Sequence, residues 1–348
     1  MLRLSVLDQS TVVTGRSPDT SIRESLALAR HCEALGYHRY WCAEHHNSES
    51  QAGTAPEILI SAIAATTSRI RVGSAGVMLP HYSSLKVAEQ FRVLEAIAPG
   101  RIDLGLGRAP GSDGRTAFAL NPLAETAADH FPAQVRDLLA WASGQKLVEG
   151  HPFRDVMCQP GGPTVPETWI LGSSDYGAQV AAYFGLPFCF AHFITDGQGA
   201  EQALAIYREG FRPSERWPAP HAGICVWAMA ADTQEAAARL FRSREMWRLG
   251  RDRGVYSALP SPEEAAAYAY SDAELARIER MRARAIYGTP DAVGEKLRTL
   301  AAAYGVAEIA ILTTLHDPAA RRRSYTLLAE ACGLEGLQPP EARCQAAE

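Results

Sequence analysis

From end to end, short runs of apolar and β-branched residues alternate with longer segments whose apolar residues recur at helical spacing. The pattern predicts strands over 2–7, 37–43, 69–78, 101–107, 168–171, 186–190, 222–230 and 308–312. Helices are predicted over 21–35, 55–67, 85–97, 124–143, 178–184, 200–211, 234–249, 291–304 and 318–331. Strict β/α alternation implies a parallel sheet, because each crossover helix returns the chain to the same end. Eight such units in 348 residues imply an α/β fold of one kind, a closed (β/α)8 TIM-like barrel with insertions, more readily than an open sheet. Residues 1–335 read as a single barrel domain. It carries a Pro- and Gly-rich excursion over 145–166 and a polar stretch over 251–285 with a short helix near 272–284. Residues 336–348 read as a flexible C-terminal tail.

Composition removes several classes of function. Hydrophobic residues make up 47% and charged residues 21%, the balance of a chain that builds a core. A net charge of −5 with no dense Lys/Arg block speaks against nucleic acid, and Arg321-Arg322-Arg323 reads as a solvated helix face. No apolar run approaches the roughly 20 residues of a membrane span, and the start Met1–Asp8 turns polar too soon for a signal peptide. Seven cysteines are scattered with no Cys-x-x-Cys pair, which fits reduced thiols in a cytoplasmic enzyme.

In a barrel the chemistry sits in loops that follow strands. Glu44-His45-His46-Asn47 stands at such a place, and imidazole exchanges protons near neutral pH. Two adjacent histidines point in different directions, so one faces a pocket and the other a neighbouring element. His81, His192 and His316 form no ligand pattern with the pair, which ranks proton chemistry above metal. Gly105–Gly111 is not a dinucleotide fingerprint, because Pro110 takes the third glycine's place and a loop follows. It offers Arg108, suited to a phosphate or anionic ring, or equally to bridging two loops. Ser173 and Ser174 open a helix, where hydroxyls and free N–H groups make an anion site or a serine merely caps. Gly73-Ser74-Ala75-Gly76 permits either tight packing in the barrel or close approach of a flat ligand.

Together these segments resemble the bacterial luciferase-like flavin monooxygenases, in the branch of stand-alone FMN-type oxidoreductases. The resemblance is carried by Ala43–His46, Arg69–Pro80, Ala88–Glu95, Gly100–Gly111, Leu171–Ser174, Ala181–Phe188 and Tyr287–Asp291, in shared order and spacing. It implies a flavin-dependent monooxygenase that uses reduced FMN and O2, by way of a flavin C4a-hydroperoxide. By position, Arg108 and Ser174 would hold the flavin phosphate. Ser173 and Gly177 stand where the luciferase subunits carry an acidic residue and a threonine, and Tyr176 would substitute. Ala75–Gly76 matches a pair that forms a non-prolyl cis peptide beneath the isoalloxazine, and His45 matches the pocket acid/base. His46 and Glu89 would lie toward dimer-forming helices, and 251–285 corresponds to a mobile lid.

Trp41, Met78, Tyr82, His192, Phe193 and Trp227 are the bulky candidates for the substrate side, which implies a small apolar or aromatic organic substrate. The resemblance further implies a homodimer and a separate NAD(P)H:flavin reductase. Two rival readings keep the fold: hydride transfer with deazaflavin F420, and non-catalytic flavin binding. A metal-dependent barrel hydrolase is the third.

Overall fold

A computed structural model of the chain describes residues 2–336, so the predicted tail over 337–348 lies outside the described residues. The chain opens with β1 (Arg3–Asp8), α1 (Pro18–Ala34), β2 (Arg39–Cys42), α2 (Pro56–Thr66) and β3 (Arg71–Ser74). A cis peptide joins Ala75 to Gly76, after which come β4 (Val77–Met78), α3 (Ser84–Ile97) and β5 (Ile102–Gly107). Next are α4 (Gly114–Leu120), α5 (Ala124–Asp129), α6 (Phe131–Ala142), β6 (Glu167–Gly172) and α7 (Asp175–Phe184). Then follow β7 (Phe188–Phe190), α8 (His192–Thr195), α9 (Ala200–Gly210), β8 (Ala222–Ala230) and α10 (Gln234–Asp252). The chain closes with α11 (Pro262–Ala267), α12 (Asp272–Arg284), β9 (Ile286–Gly288), α13 (Pro290–Tyr304), β10 (Glu308–Leu312) and α14 (Pro318–Cys332).

All strand pairs are parallel, in the order β10-β1-β2-β3-β5-β6-β7-β8, and β8 pairs back onto β10 to close the eight-stranded barrel. β4 continues the third strand beside β5, and β9 extends the sheet beside β8. Alternate residues therefore face opposite ways. Val6, Tyr40, Val72, Leu104, Phe188, Val226 and Ile311 are buried in the main core cluster together with side chains of the surrounding helices.

The barrel's N-terminal end is sealed by charge. Arg39, at the start of β2, lies 2.9 Å from Asp103, 2.8 Å from Glu167 and 2.9 Å from Glu308. Arg71 adds a 2.6 Å contact to Asp103. Trp41 and Trp169 donate their indole N–H groups to Asp103 and Glu167, each at 2.9 Å, and Ser5 donates to Glu308 at 2.6 Å. Every charge in this layer has an opposite partner, which is what makes its burial tolerable.

Three stretches differ from the sequence expectation. The single helix predicted over 124–143 is two, α5 and α6, parted at His130 with Pro132 in the first turn of the second. The loop predicted after β5 contains α4, whose N-terminus Asp113 caps by accepting from the N–H groups of Arg115 and Thr116. Within 251–285 the helix expected near 272–284 is present as α12, and the unexpected one is α11; Ser271/Glu274 and Ser261/Glu264, respectively, form the capping boxes that start them.

Candidate functional site

The C-terminal ends of the strands open into one cavity of about 940 Å³. Trp41, His45, Ala75, Gly76, Met78, Arg108, Ser173, Ser174, Tyr176 and Phe193 all line it. These ten sequence candidates come from the ends of different strands, and barrel closure brings them together. The outer wall comes from the helical segment after β5, including Phe118, Asn121 and Ala128. That wall was not expected: the stretch through Pro122 reads as a loop in sequence, and the helix predicted over 124–143 has no part in the site expected from sequence.

The histidine pair splits as expected. His46 turns away from the cavity and its Nε2 lies 2.8 Å from Glu44 Oε1. Buried Glu44 also accepts from the Tyr82 hydroxyl at 2.6 Å and from the Met78 N–H at 3.0 Å. One carboxylate thus ties the loop after β2 to β4 and sets the approach of His45. The sequence reading missed Glu44, although its place beside the histidines was a signal. His45 donates its backbone N–H to Gly53 at 2.9 Å, while its Nδ1 is buried without a partner. Burial, reinforced by the positive charge of Arg251, lowers its imidazole to about 4, so the ring is neutral near pH 7. A neutral ring with an open nitrogen can accept or donate one hydrogen bond there, depending on tautomer.

At another part of the cavity wall, the Arg108 guanidinium lies 4.1 Å from the centre of the Tyr176 ring. That stacked geometry places a fixed cation beside the start of α7. Ser174 occupies the N-cap position, yet its hydroxyl makes no capping bond, which leaves it free toward the cavity. Unpaired N–H groups of the first helical turn and the helix dipole add to this anion-binding character. Of the two readings of Gly73-Ser-Ala-Gly76, both apply, to different residues. A Cβ on Gly73 would fall 2.3 Å from the Asp103 carbonyl oxygen, so that glycine serves β3–β5 packing. Ala75 and Gly76 line the cavity at the cis peptide, although Gly76 also serves packing, since a Cβ there would fall 2.7 Å from the Gly105 carbonyl oxygen.

Three expected lining residues sit elsewhere. Tyr82 is held by Glu44. Trp227 packs against Phe241 and donates to Thr314 at 3.0 Å. His192 packs its ring against Tyr304, and it borders with Trp227 a smaller neighbouring cavity. In each case a partner distant in sequence captured the side chain. No residue of 251–285 lines the large cavity. Among the described residues, no group of three or more His, Cys, Asp or Glu side chains is placed to hold a metal ion, and no helix is long and apolar enough to cross a membrane.

Comparison with known proteins follows this geometry. The family model described as luciferase-like monooxygenase matches residues 2–308. An Escherichia coli (strain K12) protein named luciferase-like monooxygenase is 39% identical over 94% of this chain and 96% of its own length. N-acetyl-S-alkylcysteine monooxygenase of Bacillus subtilis (strain 168) is 36% identical over 95% of this chain and 98% of its own. The crystal structure of apo-MsnO8 superposes with a TM-score of 0.88 at 38% identity, covering 97% of this chain and 100% of that one. Two more distant structures share the fold alone. One is the oxygenating constituent of 3,6-diketocamphane monooxygenase from Pseudomonas putida in complex with FMN, 18% identical with a TM-score of 0.69 over 97% and 99% of the two chains. The other is an F420-dependent secondary alcohol dehydrogenase, 13% identical with a TM-score of 0.63 over 95% and 99%.

Proposed function

Since the chain belongs to the luciferase-like monooxygenase family, we propose that it uses reduced FMN and O2 to oxygenate a small organic substrate with an apolar or aromatic body. One observation carries this reading: a single cavity is lined both by a phosphate-type anion site and by the neutral imidazole of His45. The residues fit the cofactor. Arg108, Ser173, Ser174 and the start of α7 would hold the phosphate, with Tyr176 fixing the arginine. Ala75 and Gly76 present backbone without bulk to a flat ring. Reduced FMN, when bound, supplies the two electrons that activate O2.

The chain's own residues do the rest. His45 holds a proton or a hydrogen bond on its imidazole, and its neutrality means that it adds no charge to an apolar pocket. Leu7, Trp41, Ala43 and Phe193 exclude water, which protects a reactive oxidant from wasteful decay. Segment 251–285 is the proposed mobile lid; the positive charge of its first residue, Arg251, is felt at His45. Replacing 255–284 by a short linker should raise peroxide release, and unchanged coupling would remove the lid from the mechanism.

A separate NAD(P)H:flavin reductase would supply the cofactor, in a reducing cytoplasmic setting that agrees with six free described cysteines. A homodimer is proposed through α2 and α3, where Ile58, Val93 and Ile97 stand 69%, 47% and 48% exposed. Light scattering tests it.

The decisive experiment supplies the protein with FMN, NAD(P)H, a flavin reductase and 18O2. Candidate substrates are N-acetyl-S-alkylcysteines and aryl and alicyclic ketones. One 18O atom in a product is expected. Peroxide alone with every candidate, together with reduction or oxidation of added F420, would replace this reading by hydride transfer.

A further inference from the structure

Phe193 lines both the large cavity and a second one of about 40 Å³, bordered by His192, Asp196, Trp227, Arg244, Arg248 and Arg284. That volume takes one small head group and not a whole ligand. Arg244 dominates it. The residue is 9% exposed, and its guanidinium carbon lies over the Trp227 ring, 4.2 Å from the ring centre. Among the described residues no carboxylate pairs with it. The nearest acid, Asp196, lies 3.8 Å from Arg248 instead.

Charge accumulates here without compensation. Arg244, Arg248 and Arg251 recur at i, i+4 and i+7 on α10, a spacing that places them on one helix face and sets like charges against each other. Arg284, at the end of α12, adds a further cation to the same pocket. Three arginines thus face one aspartate. Burial, and then the charge on Arg248, push the Arg244 guanidinium well below its ordinary value, as expected of a cation that lacks its counter-ion. Elsewhere in this molecule buried arginines have partners from the chain: Arg39 and Arg321 meet acids, and Arg92 donates to the backbone carbonyls of Pro160, Ala142 and Thr164. The Arg244 pocket is built for a partner from outside the chain.

We infer that this pocket receives a carboxylate of the organic substrate, held by Arg244 and Arg248, while the substrate's apolar body passes Phe193 into the large cavity. The word substrate rests on the monooxygenase reading; the anion site itself does not. A planar carboxylate matches the guanidinium fork and the small volume better than a tetrahedral anion does. The flavin phosphate has its own cation in Arg108, which comes from β5 and not from α10. Phe193, shared by both cavities, puts the head group beside the reaction space and not on the open surface.

The test is calorimetric titration of the full chain, without flavin, using 4-phenylbutyrate, its methyl ester, acetate and inorganic phosphate. The acid should bind at least about tenfold more tightly than the ester. Arg244→Met should erase that preference and leave the ester unchanged, and Arg244→Lys should restore part of it. Arg242→Met, at an exposed position on the same helix outside the pocket, should bind as the wild type does. Thermal melts confirm that each variant is folded. Equal binding of acid and ester, no binding of the acid, or an unchanged preference in Arg244→Met overturns the proposal. Displacement of the acid by phosphate as readily as by acetate would make this a general anion site and overturn it too. Acid-selective binding in a protein that never incorporates oxygen would sink the monooxygenase reading alone. Oxygenation with a carboxylate substrate that survives Arg244→Met would sink only the carboxylate site.

Discussion

The two ends of this barrel treat polar groups in opposite ways. At the N-terminal end, Arg39 and Arg71 meet Asp103, Glu167 and Glu308 in a buried layer where every charge has an opposite partner. Glu308 Oε2 and His221 Nε2 alone lie 3.7 Å apart without a hydrogen bond. At the C-terminal end, His45 keeps an unpartnered Nδ1, Ser174 a hydroxyl that caps nothing, and Arg244 a guanidinium with no acid. Both arrangements lie within one sheet, so the strands themselves do not cause the difference. A satisfied polar layer is finished in the folded chain. An unsatisfied one carries a desolvation cost that a ligand can offset, which supports the open end as the proposed site.

The comparison breaks most sharply at Asp103. Asp103→Leu leaves two arginines without their shared carboxylate and should cost about 3–5 kcal/mol in urea unfolding. The double variant with Arg39→Met should recover part of that loss. Next in size is the acid response of the sealed end. Burial opposes the charged form of Glu308, but His221 at 3.7 Å and Arg39 at 2.9 Å hold it at about 2, below the ordinary 4.5. Its contribution is therefore full above pH 4.5 and fades as pH falls from 4.5 to 2. The loss is on the order of 3 kcal/mol, and Glu308→Gln should flatten that part of the stability profile.

His45 has the opposite sign of origin and a higher window. Its ring binds a proton less readily when folded, at about 4, than at the ordinary 6.5. The unfolded chain therefore takes up the proton first, and stability falls as pH drops from 6.5 to 4. His45→Gln should remove that slope.

Near neutral pH the larger effects at the open end fall on chemistry. His45→Ala should melt near the wild-type temperature yet lower coupled oxygenation about 100-fold, with peroxide rising in its place. A variant that instead unfolds easily would make His45 structural. Arg108→Ala should weaken FMN binding about tenfold, read by flavin fluorescence. Smallest is Tyr82→Phe, expected to cost about 1 kcal/mol, because Glu44 keeps its contacts to His46 and the Met78 N–H.

Much of the cavity was legible because it lies at strand ends. His45, Ala75, Gly76, Arg108 and Ser174 each sit just past an apolar run, and a barrel of known handedness and closure brings such positions together. Tyr82, His192 and Trp227 were misjudged for the complementary reason. Their side chains were decided by Glu44, Tyr304 and Thr314, none of which a local pattern connects to them. Within 251–285 the helix expected near 272–284 is α12, while α11 was a different kind of miss. Ser261-Pro-Glu-Glu264 is a visible helix start, and the polar composition around it obscured the signal.

By itself the sequence determined the alternation of strands and helices, the barrel that follows from it, and the loops at which chemistry could gather. These depend on periodicity over a few residues, and neighbouring residues suffice to set it. Which charges would be matched and which left open was decided only by the tertiary structure. Arg39 finds Asp103 at a separation of 64 residues and Glu308 at 269, while Arg244 finds no acid at all among the described residues. Electrostatic pairing depends on distance in space, and closure of the barrel is what converts one into the other.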